Sequence, residues 1–129
     1  MDKATLVDVD IAAGKQVLQI LDEAGFKVIV AFWLYTSEFE VWRLYIASPA
    51  VDTEGITKAY VQLLSALRSS EDPDLASRVT ITVLSPKDKL IRAFRRTFAR
   101  TTQVDGARLG SQVISDGVFV EQAYLYRVA

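Results

Sequence analysis

The stretch Phe26–Ala47, FKVIVAFWLYTSEFEVWRLYIA, decides the fold. It holds both tryptophans and seven of the thirteen aromatic residues, and it reads as two strands joined by a turn at Thr36–Phe39. β-Branched and aromatic residues suit a pleated, packed surface. A hairpin resting on a single core alternates apolar with polar positions, and this one does not. A loop centred on Ser37-Glu38 places Trp33 opposite Trp42, Ala31 opposite Leu44 and Ile29 opposite Ile46. The other face then pairs Leu34 with Val41, Phe32 with Arg43 and Val30 with Tyr45, and only Arg43 interrupts it. Both faces need cover, either from the chain's own helices or from another chain. The first makes the hairpin a core pair. The second makes Trp33, Trp42 and Tyr35 an interface, because Trp and Tyr are enriched at interface centres.

Outward from the hairpin, the preceding segment predicts a helix over about 10–24. Asp8 and Asp10 are its candidate caps, Val17, Leu18, Leu21 and Ala24 its buried stripe, and Gly25 its stop. After Ser48-Pro49, a second helix is expected over about 53–69, capped by Asp52 or Thr53. Ile56, Ala59, Tyr60, Leu63, Leu64 and Leu67 form its apolar stripe, the cleanest 3.6-residue period in the chain. SSEDPDLAS, 69–77, reads as loop, and 78–84 as a short strand. Ser85-Pro86 then suits a helix N-cap and first position, with a third helix running to about Ala99. Asp116-Gly117, a type I′ turn signal, joins strands at 107–115 and 118–128. The order α-β-β-α-β-α-β-β implies a single α+β domain over 1–129, with a mixed sheet of about five strands and three helices.

Composition narrows the chemistry. The chain of 129 residues contains no Cys, no His and no Asn. Thiol nucleophiles, cysteine-ligated zinc, a Ser-His-Asp triad and N-glycosylation are therefore excluded within this chain. Carboxylates, Lys, Tyr and Ser/Thr remain as catalytic types. The longest uncharged apolar run, Val28–Tyr35, is far short of the roughly 20 residues that span a bilayer. No membrane association is expected, and a cytoplasmic location is.

A second candidate surface lies around the third helix. Lys87, Lys89, Arg92, Arg95, Arg96, Arg100 and Arg108 face only Asp88 and Asp105 in sequence, a local balance of +5 that leaves −6 for the rest. Arg92, Arg95, Arg96 and Arg100 share a helix face opposite Ile91, Phe94 and Phe98. Such a face suits the phosphates of a nucleic acid or an acidic partner; the plainer reading is a solvated amphipathic surface. The carboxylate pairs Asp8/Asp10, Glu38/Glu40 and Asp72/Asp74 offer oxygen ligands but no full metal set, so no metal and no cofactor are expected. Gly14-Lys15 lacks the other elements of a phosphate-binding loop. Ser85 with Lys87 or Lys89 is better explained as a cap. Tyr60, Tyr124 and Tyr126 suit core or strand faces, although they also suit a pocket.

The sequence thus points first to a non-enzymatic domain acting through protein contacts, as a homodimer. A nucleic-acid or anion binder using Arg92, Arg95, Arg96 and Arg100 comes second. A small carboxylate- and Tyr-based enzyme or ligand binder comes third.

Overall fold

A computed structural model describes residues 6–98 and 104–129. Five strands form one mixed sheet: β1 (Val30–Thr36), β2 (Val41–Ala47), β3 (Ile81–Leu84), β4 (Arg108–Val113) and β5 (Phe119–Val128). Their spatial order is β3-β2-β1-β5-β4, with β2 and β3 parallel and every other pair antiparallel. The helices are α1 (Asp8–Glu23), α2 (Ala50–Glu54), α3 (Ile56–Arg68), α4 (Leu75–Arg78) and α5 (Lys89–Phe98). The mixed α+β sheet with three long helices expected from the sequence is present, with α2 and α4 as short additions.

The two-faced hairpin is covered on both sides by this chain. Ala31, Trp33, Leu44 and Ile46 pack with Val17, Leu18 and Leu21 of α1 and Ala59, Leu63 and Leu67 of α3. Val30, Phe32 and Leu34 face Ile91 and Phe94 of α5 on the opposite side. The Phe32 and Phe94 rings stack at 4.1 Å. This three-layer arrangement explains the missing polar face, because a strand buried on both sides has no reason to alternate.

The register differs from the sequence reading. Trp33 pairs with Leu44, Tyr35 with Trp42 and Thr36 with Val41. The faces are as expected, but every partner moves by two residues. The cause lies in the turn. Ser37 is held by Glu121 of β5, which accepts bonds from the Ser37 N–H at 2.9 Å and hydroxyl at 3.0 Å. Strand pairing therefore continues through Thr36, the Glu40 N–H closes on the Thr36 carbonyl, and Glu40 takes a left-handed φ of 50°. The four-residue loop is centred one residue later than expected.

Other boundaries shift for identifiable reasons. The expected second helix breaks into α2 and α3 at Gly55, whose φ of 91° and ψ of 157° are open to glycine and costly to other residues. Asp52 does not cap α3; its carboxylate accepts the Ser85 hydroxyl at 2.8 Å. Ser85 is likewise not the cap of α5. Asp88 is, accepting the Leu90 N–H at 2.9 Å, while Ser85-Pro86-Lys87-Asp88 forms a turn before the helix. In α1, Val7 holds the N-cap position, and Asp8 and Asp10 lie in the first turn without a capping bond. At the far hairpin both Asp116 (φ 61°) and Gly117 (φ 71°) are left-handed, as the Asp-Gly signal requires. However, β4 ends at Val113 and β5 begins at Phe119, so the connection is a 3-10 turn at Ser115–Gly117 closed by Ile114 and Val118, and not a two-residue loop.

Candidate functional site

The basic surface is built by α5. Its apolar residues Ile91 and Phe94 are buried against the sheet, which sends Lys89, Arg92, Arg95 and Arg96 to the exposed side. Arg96 pairs with Asp116 at 2.7 Å. The Arg95 Nε–H donates to the main-chain oxygen of Ala129 at 2.9 Å. Among the described residues, Lys89 and Arg92 make no ion pair. Arg100 lies outside the described residues. No acidic residue stands on α5, and Asp88 just before it is engaged with the Leu90 N–H.

The aromatic candidates divide. Trp33 is interior, 3% exposed, and its indole N–H donates to the Tyr126 hydroxyl at 2.8 Å. No surface remains there for a partner, because α1 already covers that face. Tyr35 and Trp42 are half-buried near the hairpin tip, with ring centroids 5.6 Å apart. At the tip Phe39 is exposed, and the Arg43 guanidinium lies 5.1 Å from its ring centroid.

Tyr126 is one of the three tyrosines considered for a pocket, and it is a structural link instead. An extra residue in β5, opposite the step between Ala31 and Phe32, turns it toward α1. Its hydroxyl donates to the Ile11 carbonyl at 2.6 Å while accepting from Trp33. Burial pushes its pKa above the ordinary tyrosine value, outweighing the opposing hydrogen bond from Trp33. Tyr60 is also structural, accepting the Val83 N–H at 2.8 Å. Tyr124 stacks edge-on to Tyr126 and carries the Arg108 guanidinium 5.1 Å from its ring centroid.

The carboxylate pairs are dispersed. Asp72 binds Arg78 at 2.6 Å, a hydrogen bond that lowers its pKa. Glu38 and Glu40 sit exposed in the hairpin turn. Among the described residues, no three acidic groups come together. Two open furrows of about 610 and 550 Å³ run along α1 and α3 and share Ala24, Ala66 and Ser69. Their polar lining comes from Gln, Ser and Glu side chains, and in the first the Gln62 amide donates to Glu54 at 2.7 Å.

Sequence reading missed the outer edge of the sheet. β4 is an edge strand with one neighbour, and nearly all of it is exposed. At its end Val113 and its cross-strand partner Phe119 are 65% and 58% exposed. The only charged residue in β4 is Arg108. No local pattern marks this strand as an edge; the position of β5 between β1 and β4 makes it one. Among the described residues, no helix is long and apolar enough to cross a membrane. No protein-family model, no curated protein and no solved structure matches the chain.

Proposed function

We propose that this domain acts through protein contacts and pairs with a second copy of itself along the outer edge of β4. One observation carries the reading: an unpaired edge strand ends in the exposed apolar pair Val113 and Phe119 and carries a single charge. An exposed edge offers a row of main-chain donors and acceptors to another strand, and monomeric proteins usually blunt it with charge, proline or cover. Lysine, proline and acidic residues are absent from β4. Antiparallel addition about a two-fold axis centred on Ser111 sets Leu109 of each copy opposite Val113 of the other, on one face of the sheet. The two Arg108 side chains then stay apart at the ends of the pair, and the exposed Val113 gains an apolar partner. Ser111, at φ 39°, already departs from a regular ladder at that centre and gives it a bend.

Sedimentation velocity and light scattering across the micromolar range test the reading. A dimer is expected for the unaltered chain and a monomer for Val113→Lys, which adds charge at an exposed position. An unaltered chain that stays monomeric throughout, or a dimer indifferent to Val113→Lys, overturns it. The poverty of catalytic residue types and the dispersed carboxylates support a non-enzymatic role.

A further inference from the structure

We infer that the outer face of α5 binds the phosphate backbone of a nucleic acid. Lys89, Arg92, Arg95 and Arg96 are exposed along one side of a helix whose other side is anchored in the core by Ile91 and Phe94. The cations are thus displayed from a rigid support. Three of the four are arginines, whose planar fork matches phosphate oxygens. Two competitors are present: Asp116 on Arg96 and the Ala129 oxygen on Arg95. Both contacts are exposed, so phosphate displaces or joins them at small cost.

Charge on the two faces of the sheet sets the orientation. The layer formed by residues 8–24 and 50–78 carries nine acids and four cations. The opposite layer presents α5, which has no acid of its own. A polyanion is repelled by one face and attracted by the other, although the net charge is only −1.

The dimensions fix the size of the effect. Lys89 to Arg96 spans about 10 Å at 1.5 Å per residue, which, laid along a duplex, covers about three phosphates of one strand at 3.4 Å of helix axis each. Three contacts give a slope of log affinity on log salt of about −3, or about a 40-fold loss between roughly 50 and 200 mM salt. The inference stands apart from β4 pairing, which is read by mass alone. Where the pair forms, antiparallel addition keeps both sheets facing the same way. Both α5 helices then lie on one side, and the slope approaches about twice that value.

Fluorescence anisotropy of a short labelled DNA duplex, titrated at several salt concentrations, tests this. The double variant Lys89→Gln/Arg92→Gln alters two exposed side chains without an ion pair among the described residues, so its thermal midpoint should match the parent. Its slope should be shallower by about 2, so that the same salt change costs only about 3-fold. Binding insensitive to salt, or unchanged in the double variant, overturns the inference. So does equal affinity for polyglutamate of matched charge, which assigns the face to an acidic protein. Salt-sensitive self-association without duplex binding also overturns it, because the acidic layer of a second copy is then the occupant.

Discussion

Gly14→Ala is the sharpest test of how α1 sits on the sheet. At an exposed helix position this change stabilises a protein by about 1 kcal/mol, because glycine is a poor helix former. Gly14 is buried, and a Cβ there overlaps the Tyr126 hydroxyl. It also lies 2.8 Å from Trp33 Nε1 and 2.9 Å from Tyr126 Cζ. The obstacle is not the free end of a flexible side chain. The Tyr126 hydroxyl is fixed between the Trp33 indole and the Ile11 carbonyl, so α1 must lift or both hydrogen bonds must break. Overpacking costs about 1–3 kcal/mol, and each lost bond costs about 1 kcal/mol. Set against the propensity gain, a net loss of about 2–3 kcal/mol is expected. Urea denaturation followed by tryptophan emission measures it. Tyr126→Phe removes the obstructing oxygen but leaves the Trp33 N–H without its acceptor, at about 1–3 kcal/mol. Combining the two changes should cost less than their sum by about 1–2 kcal/mol. A stabilised Gly14→Ala, or a cycle additive within about 0.5 kcal/mol, refutes the close approach.

Leu63→Ala removes a fully buried side chain of α3 and should cost about 2–5 kcal/mol in the same assay; a loss near zero contradicts its burial. Asp88→Ala should cost about 0.5–2 kcal/mol as the loss of a cap, and an unchanged stability would place the cap of α5 elsewhere. The hydrogen bond from Arg127 holds the Asp22 carboxyl below its ordinary pKa, so its proton is bound more tightly in the unfolded chain. The pair therefore stabilises fully above the ordinary carboxylate pKa and fades as pH falls through the lowered native value. Both side chains are more than a third exposed, so the effect is below about 1 kcal/mol. Asp22→Asn should remove that part of the acid dependence, and an identical acid profile in the variant contradicts the link.

The legible parts of this fold are those written in local pattern. The 3.6-residue stripe of α3, the left-handed stop at Gly25 and the Asp-Gly turn each follow from residues close together in sequence. The uniform apolarity of β1 and β2 correctly demands cover on both faces. What local pattern does not carry is the choice made by distant partners. The hairpin register is settled by Glu121, far along the chain from Ser37. Ser85 has the chemistry of a cap, yet it is drawn to Asp52, and its neighbour Asp88 does the capping. Gly14 carries no signal in sequence, and its constraint is the distant Tyr126 hydroxyl. The arginine face of α5 was legible because helical spacing alone fixes it. The open edge at β4 was not, because strand order depends on where β5 inserts.

That insertion also bears on how the protein is made. β5 is the last strand of the sheet to be synthesised, yet it lies between β1 and β4. A nascent chain carries the hairpin of β1 and β2, with one side of β1 unsatisfied, while everything between them is translated. At about 5–20 residues per second the delay lasts several seconds. During that time the free edge beside Phe32 and Trp33 is open to wrong partners. The central ladder then closes over a large sequence separation, a topology that folds slowly. Yield during expression should therefore depend on chaperone supply and translation speed more than the stability of the finished domain suggests.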